Sequence, residues 1–347
     1  MNFNINLPFV DLKFLESQEK HKKFFDDLLF KSSLETKKEF FVSVKFNKEI
    51  KFSEKTYIEN NCVANSNDFI ILDTKRSKCK LNFNLFTKKK ISIELEDDFD
   101  LYYFFTFILE PLIIIWSAHH EVLYLHSSGI AKNEKITLFP AWRNTGKTNT
   151  ILDLCQKGYS FCGDDFCVVK NKTAYLYPKS LNLFSYNLKS FPNVLNHIDW
   201  KTSLRLKITT KLKKQLFSLS QSLSGPLSKI FFRISELAEV STNIKLKPSQ
   251  LNIKTCEKGG IKDVFILQKS NLKRTTNKNL SNKNAENKIF KTIQYELKDF
   301  FEIYYKYLYL FPETNIAIVN QFEKNYKRLI SDNLSEFKIR YLEKNNQ

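Results

Sequence analysis

The spacing of apolar and polar residues changes character several times along the chain. Between Glu39 and Leu95 apolar residues alternate with polar ones, as in Val42, Val44, Phe46 and again in Leu81, Phe83, Leu85. Such alternation predicts strands with one face toward water. The runs are Glu39–Phe46, Phe69–Asp73, Lys80–Phe86 and Ile91–Leu95, preceded by a helix over His21–Leu34 with Phe24, Phe25, Leu28 and Leu29 on one side. Leu101–Ala118 is strongly apolar, but Glu110 and Pro111 interrupt it before any stretch of about 18 uncharged residues forms. Two buried helical segments meeting near Pro111 are therefore expected, and no membrane span. Short apolar runs follow at Val122–Leu125, Ile136–Phe139 and Phe166–Val169, with a helix from Lys147 to Cys155 among them.

Beyond Lys170, a turn at Asn171-Lys172 leads into a strand over Thr173–Tyr177. Trp200–Leu219, rich in Lys and Leu, predicts a helix, Gly225-Pro226 a break, Leu227–Ala238 a second helix and Val240–Leu246 a strand. Ile261–Gln268 reads as a strand and Lys269–Glu286 as a polar surface segment. Asn287–Tyr307 carries Ile289, Ile293, Leu297, Phe300 and Ile303 at helical spacing, and Glu313–Glu343 predicts one or two terminal helices. This mixture is that of an α/β (α+β) protein. Its parts are a β-rich front portion (1–97), a core (98–310) with an insertion near 200–247, and C-terminal helices (311–347).

Chemistry concentrates between the strand at Ile136 and the helix at Lys147. The octet Ala141-Trp142-Arg143-Asn144-Thr145-Gly146-Lys147-Thr148 follows the phosphate-loop pattern GxxxxGK[ST], with Ala141 in place of the first Gly. Backbone N–H groups of such a loop and the positive end of the following helix attract phosphate oxygens. Lys147 reaches the outer phosphates and Thr148 offers a hydroxyl to Mg2+. Asn144 is suited to the left-handed turn that the lost Gly would have eased. An ordinary strand–turn–helix connection is the alternative.

Four of the seven glycines (Gly129, Gly146, Gly158, Gly163) fall in this one stretch. Gly163 is followed by Asp164 and Asp165, two carboxylates leading into the apolar run at Phe166. Burial there is costly unless the pair is partnered or metal-bound. One carboxylate can hold Mg2+ while the other accepts a proton from a hydroxyl. His126 ends the run Val122–Leu125 and can be brought beside the acids by adjacent strands. A solvated turn and a packed histidine are the alternatives for these residues.

His126-Ser127-Ser128-Gly129, the loop ending Thr145-Gly146-Lys147-Thr148, and Gly163-Asp164-Asp165 together resemble the catalytic core of HPr kinase/phosphorylase and its kinase relatives, a superfamily that includes the ATP-dependent phosphoenolpyruvate carboxykinases. His126 stands 21 residues before Lys147 and Asp164 17 after it. The resemblance covers about Leu112–Leu183, with a weaker continuation over Ile261–Tyr304. It implies a P-loop-containing HPr kinase-like core that binds ATP and Mg2+ and moves the γ-phosphoryl group to a hydroxyl of a peptide, protein or small molecule. Residues 141–149 would form the nucleotide-binding loop, and Thr148 with Asp165 the metal site. Asp164 would be the base, assisted by His126. Asn149 stands where HPr kinases carry a carboxylate, and the Gly-rich second signature tied to dephosphorylation is not matched. Arg205, Lys207 and Lys179 are candidates for the cation facing the transferring group. A nucleotide-binding switch or assembly protein without phosphotransfer is the alternative function.

Net charge is +18, spread along the chain and fitting an anionic partner as well as a lysine-rich composition. No nucleic-acid-binding signature accompanies it. The six cysteines form no CxxC pair, so a zinc site is not expected. Met1–Val10 has neither a basic start nor a long apolar core, and a cytoplasmic setting with reduced thiols is the default expectation. A homo-oligomer is left open.

Overall fold

The computed structural model describes residues 1–347 except 52–55, 59–60, 65–68, 82–88, 185–186, 188–190, 192–193, 195, 197, 223–224, 229, 232, 235–242, 271–275, 313–317, 338 and 346–347. The front portion forms a sheet from β1 (Phe3–Leu7), β2 (Val10–Leu15), β3 (Phe40–Asn47), β4 (Thr56–Ile58), β5 (Cys62–Ala64), β6 (Phe69–Leu72), β7 (Lys78–Leu81) and β8 (Lys90–Glu96). Their order is β1-β2-β3-β8-β7-β6-β5-β4. Buried and exposed residues alternate along β3 and β8, as the sequence pattern requires of a half-solvated sheet. The first hairpin, β1 with β2, was not anticipated. Of the expected run Lys80–Phe86, residues 82–86 lie outside the described residues.

Helix α1 (Glu19–Leu28) ends six residues before the expected Leu34. Tertiary pairing stops it: Leu29 turns extended and bridges Lys179, and the Phe30 N–H donates to the Pro178 carbonyl. The Ser180 N–H and hydroxyl donate to the carbonyls of Leu28 and Asp27. The front portion, whose role the sequence left open, thus seats the segment that carries Lys179.

Helix α2 (Leu101–His119) is continuous, in place of the two segments expected to meet at Pro111. A π-helical stretch over Phe104–Leu109 immediately precedes Glu110 and Pro111. Proline cannot donate to a preceding carbonyl and crowds it, and the wider π turn accommodates this without breaking the rod. Helix α2 is long and apolar enough to cross a membrane, but it is mostly buried, with Phe40 of β3 stacked on Trp116 and Phe25 of α1 against Phe105. One apolar cluster runs from the front sheet through α2 into the second sheet.

The second sheet contains β9 (Leu123–Leu125), β10 (Ser127–Lys132), β11 (Lys135–Pro140), β12 (Ser160–Gly163), β13 (Cys167–Lys170) and β14 (Thr173–Leu176). A small pair, β15 (Leu181–Leu183) with β16 (Ile244–Leu246), stands apart, and residues 240–242 of the expected strand lie outside the described residues. β17 (Lys258–Ser270) is the hub of the second sheet, pairing with β14 at one end, with β11 in parallel along the middle, and with β19 (Ile339–Asn345) at the other end. β18 (Thr276–Asn279) pairs with β19. The order is β12-β10-β11-β17-β14-β13-β9, with β18 and β19 beside β17. Asn171 and Lys172 both have positive φ, the signature of a two-residue hairpin turn between β13 and β14.

Helix α3 (Lys147–Gln156) follows β11, and α4 (Trp200–Ser222) spans the expected first insertion helix. Of the expected helix at Leu227–Ala238, residues 229, 232 and 235–238 lie outside the described residues. The single helix expected over Asn287–Tyr307 is two, α5 (Asn282–Glu296) and α6 (Lys298–Leu310), joined at the buried Leu297. The break lets both helices turn an apolar face to the core and leaves Glu296 at the junction. The start of α5 and strand β18 also replace most of the expected surface segment, of which 271–275 lie outside the described residues. Helix α7 (Ile318–Leu334) matches a terminal helix, whereas β19 forms where helix was expected, because the edge of β17 offers it a ladder of backbone partners. The architecture is mixed α/β.

Candidate functional site

Strand register assembles the site. β10 and β11 pair antiparallel with Ser127 opposite Pro140, so His126 and Ala141 lie side by side just beyond the ladder. β12 pairs with β10 at Gly129 and Gly163, which delivers Asp164 and Asp165 to the same end. Both glycines are needed for closeness. A Cβ on Gly129 would come 2.8 Å from Cys167 Sγ, and one on Gly163, at φ +150°, 2.6 Å from the Phe166 carbonyl oxygen. Gly163→Ala is expected to cost at least about 2 kcal/mol, from strain and backbone collision together, and to displace the two acids. Denaturant melts of the variant check the first part.

The loop between β11 and α3 carries the left-handed residue where the sequence placed it, with Asn144 at φ +59° and Gly146 at +90°. Among the described residues, the backbone N–H groups of Arg143 through Thr148 have no protein partner, and they crown the N-terminus of α3. The Thr145 hydroxyl closes the loop by donating to the Trp142 carbonyl at 2.8 Å. Arg143 forks onto Glu296, with Nε 2.8 Å from Oε1 and 2.9 Å from Oε2. Trp142 packs on Tyr295 at 4.7 Å between ring centroids. These two contacts pin the loop to the end of α5. A cavity of about 450 Å3 lies on the same flank, lined by Trp142, Thr145, Leu267, Gln268, Ile289 and Thr292 among others.

Lys147 is buried, and its Nζ lies 2.9 Å from His126 Nε2 and 3.2 Å from the Ala141 carbonyl oxygen. Burial pulls its ammonium below the ordinary lysine range, opposed by Asp165 and Asp164. Burial, and then the Lys147 charge, hold His126 well below the ordinary imidazole range, so the ring is neutral and Nε2 accepts from Lys147. Glu296 Oε1 lies 3.6 Å from the same nitrogen. The unfolded chain protonates this ring below about pH 6.5 and the folded chain does not, so its contribution to stability is present above 6.5 and declines as pH falls. Wild type is expected to lose stability from pH 6.5 to 5 more steeply than His126→Gln, by up to about 1.4 kcal/mol per pH unit, as read from urea midpoints across that range.

Asp164 is buried and accepts two hydroxyl hydrogen bonds, from Ser128 at 2.7 Å to Oδ1 and from Thr148 at 2.9 Å to Oδ2. Burial raises its carboxyl above the usual range and the neighbouring Asp165 raises it further, against the two hydroxyls and Lys147. Thr148 thus meets Asp164, whereas the sequence had paired it with Asp165. Asp165 adopts φ +66°, which swings its half-exposed side chain to 3.6 Å from Lys179 Nζ.

No protein-family model and no curated protein matches the chain.

Of the candidate cations, Lys179 reaches this site. Its Nζ lies 3.1 and 3.0 Å from the two oxygens of Glu110, whose Oε1 also accepts from the Tyr177 hydroxyl at 3.0 Å. Burial disfavours the Lys179 charge, but Glu110 and Asp165 outweigh it and hold the amine protonated. Arg205 is exposed on α4, and the Lys207 side chain lies outside the described residues. Asn149 accepts from Asn187 Nδ2 at 2.6 Å, fastening the first turn of α3 to the segment after β15.

Sequence reasoning missed Ser128, Glu110, Tyr177 and Glu296 as site residues. Glu110 did carry a signal, since a lone carboxylate inside an apolar helix requires a buried partner. Nothing in the pattern marked Glu296, which arrives only because α5 ends there.

Proposed function

We propose that the chain is an ATP-dependent kinase with an HPr kinase-like P-loop core, transferring the γ-phosphoryl group to a hydroxyl of a peptide, protein or small molecule. The observation that carries this reading is the convergence of Lys147, Thr148 and Asp164 at the head of α3, beneath the unpartnered N–H groups of Arg143–Thr148. Amide donors, a helix N-terminus and a lysine are the elements that hold a triphosphate tail. The cavity beside Trp142 is of a size to take a nucleobase and sugar.

The oxygen pair of Thr148 and Asp164 suits Mg2+, which retains waters and phosphate oxygens and so needs few protein ligands. Among the described residues no cluster of three acidic, His or Cys side chains offers a metal cage of protein ligands alone. When bound, Mg2+ would neutralise phosphate charge. With Asp164 so engaged, Asp165 is the carboxylate an acceptor hydroxyl can reach, exchanging the two roles drawn from the sequence. Lys179 beside it supplies positive charge toward the transferring group. Neutral His126 holds Lys147 in place by accepting a hydrogen bond from its ammonium and adds no charge of its own.

The test is incubation with γ-labelled ATP and Mg2+ against panels of peptides and small alcohols, expecting label on a hydroxyl. Lys147→Met is expected to weaken ATP binding about 10- to 100-fold, measured by titration calorimetry. Binding without turnover against every acceptor would favour the second reading, a nucleotide-binding switch. That reading draws on Ala141 in the first glycine position and on Asn149, an amide engaged with Asn187.

A further inference from the structure

Among the described residues, helix α4 stands apart in how much apolar surface it shows to water. Among the described residues, nine of the protein's sixteen exposed large hydrophobic side chains lie between Trp200 and Ile234. Four of them, Trp200, Leu204, Ile208 and Leu212, recur every fourth residue and so form one stripe along α4, exposed by 70%, 48%, 57% and 46%. On the side of the helix away from the stripe, Leu206 is buried in the cluster that includes Leu183 and Leu246, while Phe217 further along is exposed. The stripe is therefore not a misassigned core face.

Charge on this segment has one sign. No Asp or Glu occurs from Trp200 to Ser235, while Lys and Arg number eight. Exposed Lys201, Arg205, Lys211 and Lys214 lie within and on both sides of the stripe. The chain then doubles back, the Ser228 hydroxyl donating to the Ser220 carbonyl at 2.7 Å, and Leu227, Ile230 and Ile234 on the returning segment are exposed as well.

We propose that this face of α4 lies on an anionic lipid surface, its apolar stripe in the headgroup boundary and its lysines among the lipid phosphates. A folded protein partner would need acids placed in register with each cation, whereas a bilayer offers negative charge uniformly and accepts irregular spacing. Along the exposed length of α4, Lys and Arg interleave with aliphatic side chains and a tryptophan opens the helix, so cations that can meet lipid phosphates sit beside side chains that can enter the headgroup boundary. The net charge of +18 draws the whole protein toward such a surface. The insertion thereby gains a purpose, and the proposal does not depend on the kinase reading.

The experiment is flotation of the full chain with vesicles of phosphatidylcholine alone or containing phosphatidylglycerol. Co-flotation is expected only with the anionic vesicles, together with a blue shift in tryptophan emission that Trp200→Phe removes. The triple variant Leu204→Ser, Ile208→Ser, Leu212→Ser should weaken flotation at least about tenfold with unchanged circular dichroism and melting, since the stripe supports none of the core. Three results would overturn the proposal. They are no flotation, flotation undiminished in the triple variant, and a concentration-dependent dimer that the triple variant abolishes, which would assign the stripe to a second copy.

Discussion

Asp165→Asn is expected to lower phosphoryl transfer by about 10^2- to 10^4-fold while leaving ATP affinity within a factor of about two. The asymmetry comes from how differently the two acids are held. Asp164 is buried with both oxygens occupied by Ser128 and Thr148. Asp165 is turned outward by its left-handed backbone, 39% exposed and tied only loosely to Lys179. An amide at 165 keeps the size and loses the ability to take a proton. Asp164→Asn should instead raise the Mg2+ concentration needed for half-maximal turnover, because the amide weakens the oxygen pair with Thr148. Steady-state rates across an Mg2+ titration separate the two variants. If Asp164→Asn abolishes transfer with an unshifted Mg2+ requirement, Asp164 is the base, as the sequence first suggested.

Glu110→Ala is expected to destabilise the fold by about 3–5 kcal/mol, measured by urea denaturation. Glu110 is the partner that makes a buried Lys179 tolerable, and it also receives the Tyr177 hydroxyl. Removing it leaves Lys179 to the more distant Asp165 and deprives the Tyr177 hydroxyl of this acceptor, in the apolar surroundings of Phe105 and Phe166. The Glu110→Leu, Lys179→Met double variant should recover most of that loss, since neither member of this pair then leaves a buried charge behind, yet its transfer rate should stay low for want of the cation. Recovery of activity along with stability would remove Lys179 from the reaction.

The elements legible in the sequence are those whose chemistry is local. Asn144 and Gly146 mark left-handed positions by residue type, the Asn171-Lys172 turn lies between two short apolar runs, and β3 and β8 declare a solvated face by alternation. The grouping of loop, acids and histidine is an expectation of the motif resemblance, with adjacent strands as the means of bringing them together. Illegible were features decided by partners far away. Residues Ile339–Asn345 have no strong strand pattern and become β19 because β17 presents an edge. The stop of α1 depends on Lys179, some 150 residues on, and the break at Leu297 on the core that both α5 and α6 must cover. Asp164 meets Thr148 while Asp165 takes a left-handed torsion, a division between the two acids that residue identity does not specify.

β17 carries a consequence for biosynthesis. The strand that leads into the candidate phosphate loop, β11, is flanked by β10, its hairpin neighbour, and by β17, more than a hundred residues later. A nascent chain emerging from the ribosome can close the β10–β11 hairpin early, but the other edge of β11 stays bare until residues 258–270 are translated. During that interval an apolar strand is open to pairing with other polypeptides, which makes chaperone protection an expected requirement of its manufacture.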